Sequence, residues 1–467
     1  MIWRFAPSPT GALHLGSLRI ALFNYIQAHK VNGSVILRIE DTDQKRLVQG
    51  SAESISSILD WIGIKFNNKC IQSERLPLYK GKVDELFIKD HAYRCFCTKE
   101  DLEDMRLKSM QKKIQFRYDQ RCRHLTREQI QDKVGQGQQH VVRFKAPQVA
   151  NVQFKDLVYG DLRFGQSNID DVVLLKSDGW PTYHLANVVD DHDMKVDHVI
   201  RGQEWISSTP KHILLYKAFG WDIPTFAHLP LLLNKDGSKL SKRQDDLSIQ
   251  SLKDQGYFPE AIVSFVAFLG WGKNENRILS LPELIQEFDI SKLSKSSCVV
   301  SLEKLESLNK MCLLKKMEDP IQLKELIQSI RAEIDKCNWE MSDESRILYN
   351  DKNYFKSLVI ACKDRVRKVP DFKHYLKPFF ISFDQISNSN LQELERLDVD
   401  TRGNFFSKSI AIVQDCKNYL NSKLESELLV RHVAKANNVS LKSVSKILRI
   451  LLTNEAVIWK HLIIGWP

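Results

Sequence analysis

The strongest constraint on the fold of this chain is an alternation near its start. Ile2 to Ala6 is a short apolar run, and Pro7-Ser8-Pro9-Thr10-Gly11 ends it, because a proline cannot donate to a strand ladder. Leu15, Leu18, Leu22, Tyr25 and Ile26 then recur at helical spacing. Ser34-Val35-Ile36-Leu37-Arg38-Ile39 reads as a second buried strand, closed by the acidic cluster Glu40-Asp41-Thr42-Asp43. Ile55, Ile58, Leu59 and Ile62 mark a second helix, with Gly63 to stop it. Strand, helix, strand, helix predicts a parallel sheet with crossover helices. Ligands of such sheets sit beyond the carboxyl ends of the strands, where the Pro-rich turn and the acidic cluster both fall.

The alternation lapses from about Arg75 to Tyr183, across a basic, Gln-rich stretch around Lys108 to Arg127 that reads as an insertion. It resumes with Val196 to Ile200 and with His228 to Leu233, and beyond Leu252 the pattern is mostly helical. One clear helix has Ser440 as N-cap and Leu441, Val444, Leu448 and Leu451 as its apolar stripe. Its basic face, Lys442, Lys446 and Arg449, serves equally as a solvated surface or an RNA contact.

At 467 residues the chain has room for three or four domains of roughly 100–200 residues each. No apolar run approaches the roughly 18 residues that span a bilayer. The first five residues already read as a core strand, so an organellar presequence is expected to lie outside this sequence. Nine Cys, an odd number and mostly scattered apart from Cys95, Cys97 and Cys122, argue against a disulfide framework and for a reducing compartment. A net charge of +10 suits a polyanionic partner such as RNA, although an inert basic surface gives the same balance.

Two motifs carry chemistry. In Thr10-Gly11-Ala12-Leu13-His14-Leu15-Gly16-Ser17 a turn opens a helix, so backbone N–H groups and the helix dipole face an anion. Gly16 would let a flat base approach the backbone, and His14 can donate to phosphate oxygens. Lys239-Leu240-Ser241-Lys242-Arg243 follows the loop Asn234-Lys235-Asp236-Gly237. Lys239 and Lys242 can converge there on a polyphosphate and stabilise charge on a leaving pyrophosphate. Alone, each has a bland reading, a structural helix start and a solvated basic loop.

Together the pair is far more specific. The sequence resembles the class I aminoacyl-tRNA synthetases, with His14-Leu15-Gly16-Ser17 as the first family motif and Lys239 to Arg243 as the second. Ser17 departs from the commoner His, a variant also common in glutamate enzymes. Arg4 to Gly11, Arg38 to Asp43, Asp178 to His192 and Ile200 to Trp205 resemble glutamyl-tRNA synthetases of the bacterial and organellar type. The resemblance is specific from Arg4 to about Asn309 and looser beyond.

The resemblance implies a Rossmann-type α/β catalytic domain (1–81 and 188–216) and an inserted α+β domain for the tRNA acceptor end (82–187). It also implies a stem-contact domain (217–318) and an all-α anticodon-binding region (319–467). It places Arg4, Ala6, Ser8, Glu40, Tyr183, Asn187 and Arg201 at the glutamate. The chemistry agrees: two carboxylates want guanidinium forks and an ammonium wants a carboxylate. Arg4 is expected on the side-chain carboxylate, Arg201 on the α-carboxylate and Glu40 on the ammonium.

Thr10, His14, Gly16, Glu204, Trp205, Leu231, Leu232, Lys239 and Lys242 are expected around ATP, with Mg²⁺ riding on its phosphates; His14, Lys239 and Lys242 are the expected catalytic groups. Cys95-Phe96-Cys97 and Cys122-Arg123-His124 suit a structural zinc ion in composition, although one-residue spacers are tight. Relatives can carry such a pair of pairs, which adds weight to it.

The implied partners are glutamate and tRNA-Glu, with tRNA-Gln open, and the implied state is a monomer. A bacterial-type sequence with a high pI and abundant Lys, Asn and Ile resembles a mitochondrial enzyme, and Asp41 to Gln44 and Leu231 to Ser238 resemble metazoan mitochondrial members; a bacterial cytoplasm is the alternative. Two rivals are a sister enzyme that glutamylates a modified tRNA base, which lacks the long helical tail, and a catalytically dead RNA-binding scaffold.

Overall fold

The computed structural model describes residues 1–380 except 115, 149–150, 166–168, 241–247 and 272–275. The chain divides into two compact units, 1–312 and 313–467.

Twelve strands are described: β1 Ile2–Phe5, β2 Ser34–Ile39, β3 Asn68–Ile71, β4 Ala92–Cys95, β5 Val141–Phe144, β6 Val152–Asp156, β7 Gly160–Phe164, β8 Val173–Leu175, β9 His198–Gly202, β10 Thr225–Leu229, β11 Leu232–Leu233 and β12 Cys298–Val299. The main sheet has the order β3-β2-β1-β9-β10-β6-β7. Every pair in it is parallel except the β6–β7 hairpin. From β1 the chain builds outward to β2 and β3, and from β9 it builds the other way to β10. The order therefore reverses between β1 and β9, and a crevice opens there at the strand ends.

The expected continuous strand from His228 to Leu233 is two strands, β10 and β11. Pro230 lies between them and cannot donate to a ladder. The main sheet includes β6 and β7, from within the expected insertion 82–187, and β10, from within the expected stem-contact domain 217–318. Antiparallel pairing of β4, β5 and β8 makes a separate three-stranded sheet in the insertion.

Helices cover both faces of the main sheet. Helix α1 (Leu15–Lys30) and α2 (Ser51–Ile62) pack one face. Helices α3 (Leu76–Ile88), α6 (Tyr183–Asp193) and α7 (Thr209–Phe219) pack the other, while α4 (Lys99–Gln111) and α5 (Arg127–Gly135) belong to the insertion. Helix α2 ends where expected, with Gly63 at φ +88° as its cap. Three helices complete the unit, α8 (Ile249–Asp254), α9 (Pro259–Phe268) and α10 (Leu281–Glu287), and α11 (Leu302–Glu318) runs across its boundary.

Strand alternation sorts the side chains. Trp3 and Phe5, Leu37 and Ile39, Ile200, and Ala227 and Leu229 join the core on the α1 face. Arg4, Arg38, Arg201 and His228 therefore point to the α6–α7 face. That face holds every charged strand residue that matters below.

Among its described residues the second unit is helical: α12 (Pro320–Asp335), α13 (Asp343–Asn350), α14 (Lys352–Ala361) and α15 (Phe372–Leu376). Leu323, Leu326, Ile330 and Ile334 form the buried stripe of α12, at the period of an amphipathic helix. The helix expected from Ser440 lies outside the described residues.

Candidate active site and metal centre

One cavity of about 490 Å³ lies at the switch point, lined by residues from both halves of the sheet. Arg4 is next to last in β1, Glu40 follows β2, Arg201 is next to last in β9, and Leu231 and Leu232 follow β10. Tyr183, Asn187 and Asp191 recur every four residues along α6, so they share one stripe facing the sheet. Ala6, Ser8, Thr10, His14, Gly16, Glu204, Trp205 and Lys239 line the same cavity. Thus fifteen of the sixteen residues expected around glutamate and ATP come together, and Lys242 lies outside the described residues.

Two arginines face this cavity in different electrostatic settings. Arg4 Nε donates to Asp191 Oδ1 at 3.1 Å. Arg38 Nη1 reaches the same oxygen at 2.6 Å, and Arg38 Nη2 reaches Glu40 Oε1 at 3.1 Å. The Asn187 amide completes the cluster, its oxygen accepting from Arg38 Nη2 at 2.9 Å and its nitrogen donating to Asp191 Oδ2 at 3.3 Å. Asp190, next door, accepts from Gln72 at 2.8 Å, Arg75 at 2.9 Å and Tyr79 at 2.8 Å.

Burial alone would raise the Asp191 pKa, but Arg38 and Arg4 hold it below the ordinary value. For Glu40 burial wins, and its pKa is raised despite Arg38 and Arg4. A carboxylate in that condition gains from a substrate ammonium.

Arg201 is 4% exposed and has no carboxylate among its described partners. Its Nε donates to His228 Nε2 at 3.0 Å and its Nη2 to Thr209 Oγ1 at 2.7 Å. Its Nη1 faces Tyr183 Oη at 3.2 Å and His212 Nδ1 at 3.1 Å. A buried cation among neutral groups calls for an anion from outside. The Tyr183 ring packs tilted against Trp205, with centroids 4.0 Å apart, forming a wall beside it.

The start of α1 does something the sequence did not disclose. His14 is its N-cap, with Nδ1 accepting from the Ser17 N–H at 3.2 Å and Nε2 3.0 Å from Ser17 Oγ. The proton therefore sits on Nε2. A Cβ on Gly16 would lie 3.0 Å from the His14 ring, so this glycine makes room for the imidazole. The Glu204 carboxylate folds back over Gly202, occupying the space a Cβ there would take.

In the insertion, one sulfur each from Cys95, Cys97 and Cys122 lie within 4.8 Å of one another. Cys97 and Cys122 are 3.6 Å apart, close to the roughly 3.8 Å separation that two 2.3 Å zinc–sulfur bonds at the tetrahedral angle require. His124 is not in the group. Cys122 and His124 share the tight turn Arg121–His124, and at three residues per turn i and i+2 point to different sides. The Tyr118 hydroxyl stands there instead, 3.3 Å from Cys95 Sγ and 3.6 Å from Cys97 Sγ. The donor set fits a zinc ion.

Sequence reasoning assigned no role to Arg38, Asp190, Asp191, Thr209, His212 or His228. A signal existed: a charge flanked by strand apolars, as in Leu37-Arg38-Ile39, or paired acids after Val188-Val189. In the second unit Asp364 to Lys368 follows α14, where the backbone N–H groups of Arg367 and Lys368 donate to Asp371 at 2.8 and 2.9 Å.

A cavity at the switch point, lined by the His14 helix start and by Lys239, is where a doubly wound α/β protein binds its ligands. Residues 1–307 match the family model described as "tRNA synthetases class I (E and Q), catalytic domain". A glutamate–tRNA ligase of Clostridioides difficile is 38% identical over 413 residues, 85% of this chain and 82% of that one. A mitochondrial glutamate–tRNA ligase of Saccharomyces cerevisiae is 43% identical over 392 residues, 81% of this chain and 72% of that one. A crystal structure of a glutamate tRNA ligase from Elizabethkingia meningosepticum, in complex with its amino acid, superposes with a TM-score of 0.81. It is 31% identical and covers 100% of this chain and 96% of that one. The chain belongs to the glutamate–tRNA ligases.

Proposed function

We propose that this enzyme activates glutamate with ATP and transfers it to tRNA-Glu, and that it also charges tRNA-Gln. One observation carries the choice of amino acid: two guanidinium groups and one destabilised carboxylate converge on a single cavity. Glutamate has the complementary charges, two carboxylates and one ammonium. An α-carboxylate oxygen attacks the α-phosphorus of ATP and pyrophosphate leaves. The terminal ribose hydroxyl of the tRNA then attacks the activated carbonyl, and AMP leaves.

The chain's part is orientation and charge stabilisation. Glu40 receives the ammonium, Arg4 and Arg201 receive the carboxylates, and His14 with Lys239 and Lys242 meets the phosphates. Mg²⁺ travels with ATP. Cys95, Cys97 and Cys122 hold a structural zinc ion, with Tyr118 rather than His124 beside the fourth position. ATP–pyrophosphate exchange in the presence of tRNA, followed by transfer of labelled glutamate, tests the whole reading. No exchange above background overturns it in favour of an inactive RNA-binding scaffold.

The working place proposed is the mitochondrial matrix. The yeast mitochondrial relative supports this, while most similar proteins are bacterial. Fractionation of the source cells decides between matrix and bacterial cytoplasm. No helix among the described residues is long and apolar enough to cross a membrane.

A further inference from the structure

We infer that Asp156, on the β6 strand, is a positioning residue for substrate recognition: it fixes the tautomer of His228, and His228 fixes Arg201. This rests on the reading of Arg201 as a carboxylate ligand. A guanidinium has donors only, so each nitrogen facing it must be an acceptor. His228 Nε2, 3.0 Å from Arg201 Nε, must therefore be bare. The proton lies on Nδ1, which donates to Asp156 Oδ2 at 2.7 Å. The other carboxylate oxygen is taken by the Val158 and Tyr159 N–H groups, both at 2.9 Å.

The same logic applies at His212. Its Nδ1 accepts from Arg201, so Nε2–H donates to His184 Nδ1 at 3.0 Å. Asp156 and His228 are 1% and 0% exposed, so no water can substitute for either partner. Burial keeps His228 neutral, its pKa pushed down to about 4 even beside Asp156.

Asp156→Asn reverses the relay without removing an atom. The Asn oxygen must stay with the two backbone donors, so the amide nitrogen takes the place of Oδ2. It then donates to His228 Nδ1 and drives the imidazole proton to Nε2, where it confronts Arg201 Nε–H at 3.0 Å and must turn to the Thr209 hydroxyl at 3.1 Å, so that Arg201 loses its acceptor. A wrong tautomer of this kind can disable a site whose geometry is otherwise intact.

Full-length enzyme labelled with ¹⁵N-histidine reports the tautomer directly, and aminoacylation kinetics report its effect. In Asp156→Asn we expect an Nε2–H imidazole at His228, a glutamate KM raised tenfold or more and an ATP KM unchanged. His228→Phe should raise the glutamate KM similarly. In a His228→Gln background, whose amide can offer oxygen to Arg201, Asp156→Asn should add nothing further. A retained Nδ1–H in Asp156→Asn overturns the inference, as does a parallel rise in both KM values. An unchanged glutamate KM with a switched tautomer also overturns it, and Arg201→Gln then separates the cases. If Arg201→Gln raises that KM, Arg201 remains the ligand and only the relay fails; if it does not, both readings fail.

Discussion

Asp191 accepts a hydrogen bond from Arg4 at 3.1 Å, with both side chains removed from water and far apart in sequence. One carboxylate on α6 thereby neutralises the arginine of β1, and through Arg38 it also orders Glu40. Asp191→Ala should therefore destabilise the folded enzyme by about 3–5 kcal/mol, the cost of leaving a buried partner unpaired. Chemical denaturation measures it. The pKa of Asp191 is lowered on folding, so its contribution is complete above the unfolded value of about 3.9. It is lost as pH falls below that through the folded value.

Glu40 has the opposite sign. Its pKa is raised by burial, so ionising it costs stability as pH rises above the unfolded value of about 4.3. Glu40→Gln should be at least as stable as the parent at pH 7 and should lose this pH dependence. Its glutamate KM should rise about 10- to 100-fold, the worth of a charged hydrogen bond. Thermal melts between pH 4 and 7, with steady-state kinetics, check both halves. A less stable Glu40→Gln at neutral pH contradicts the first.

If Lys242 meets the phosphates as proposed, Lys242→Ala should slow glutamate activation by about 10²-fold or more while leaving tRNA affinity nearly intact. Pre-steady-state pyrophosphate release compared with tRNA filter binding measures the split. Equal losses in both would make Lys242 an RNA contact instead.

Metal analysis of enzyme purified without chelator should find about one zinc per chain. Cys122→Ser should lose it and His124→Ala should keep it, because the imidazole stands apart from the three sulfurs. Loss of zinc from His124→Ala would mean that the turn Arg121–His124 rearranges around the ion.

Both tRNA-Glu and tRNA-Gln should accept glutamate, the pattern expected of an organelle that makes Gln-tRNA through a misacylated intermediate. Charging of matched transcripts with labelled glutamate decides it. A preference for tRNA-Glu of ~10³-fold, about 4 kcal/mol, would reject it. In discriminating relatives an arginine of the helical region reads the third anticodon base, and Asp364-Arg365-Val366-Arg367-Lys368-Val369 lies in the corresponding part of this sequence. Relaxation of that preference in Arg365→Ala or Arg367→Ala would therefore identify a base-reading guanidinium rather than a solvated basic helix end.

Much of this molecule is written in local pattern. The strand, turn and helix alternation of the first seventy residues determined the parallel sheet, because period and breakers are properties of neighbouring residues. The motif residues of the cavity were legible as well, each lying at a strand end or helix start where such sheets bind ligands. Tertiary structure alone decided which charges meet. Asp191 with Arg4, and Asp156 with His228 and Arg201, are partners across strands and helices brought together by the sheet order. No local period encodes that order. It also set which side chains gather at the sulfurs, where Cys95, Cys97 and Cys122 meet and the tight turn Arg121–His124 leaves the His124 imidazole outside the group.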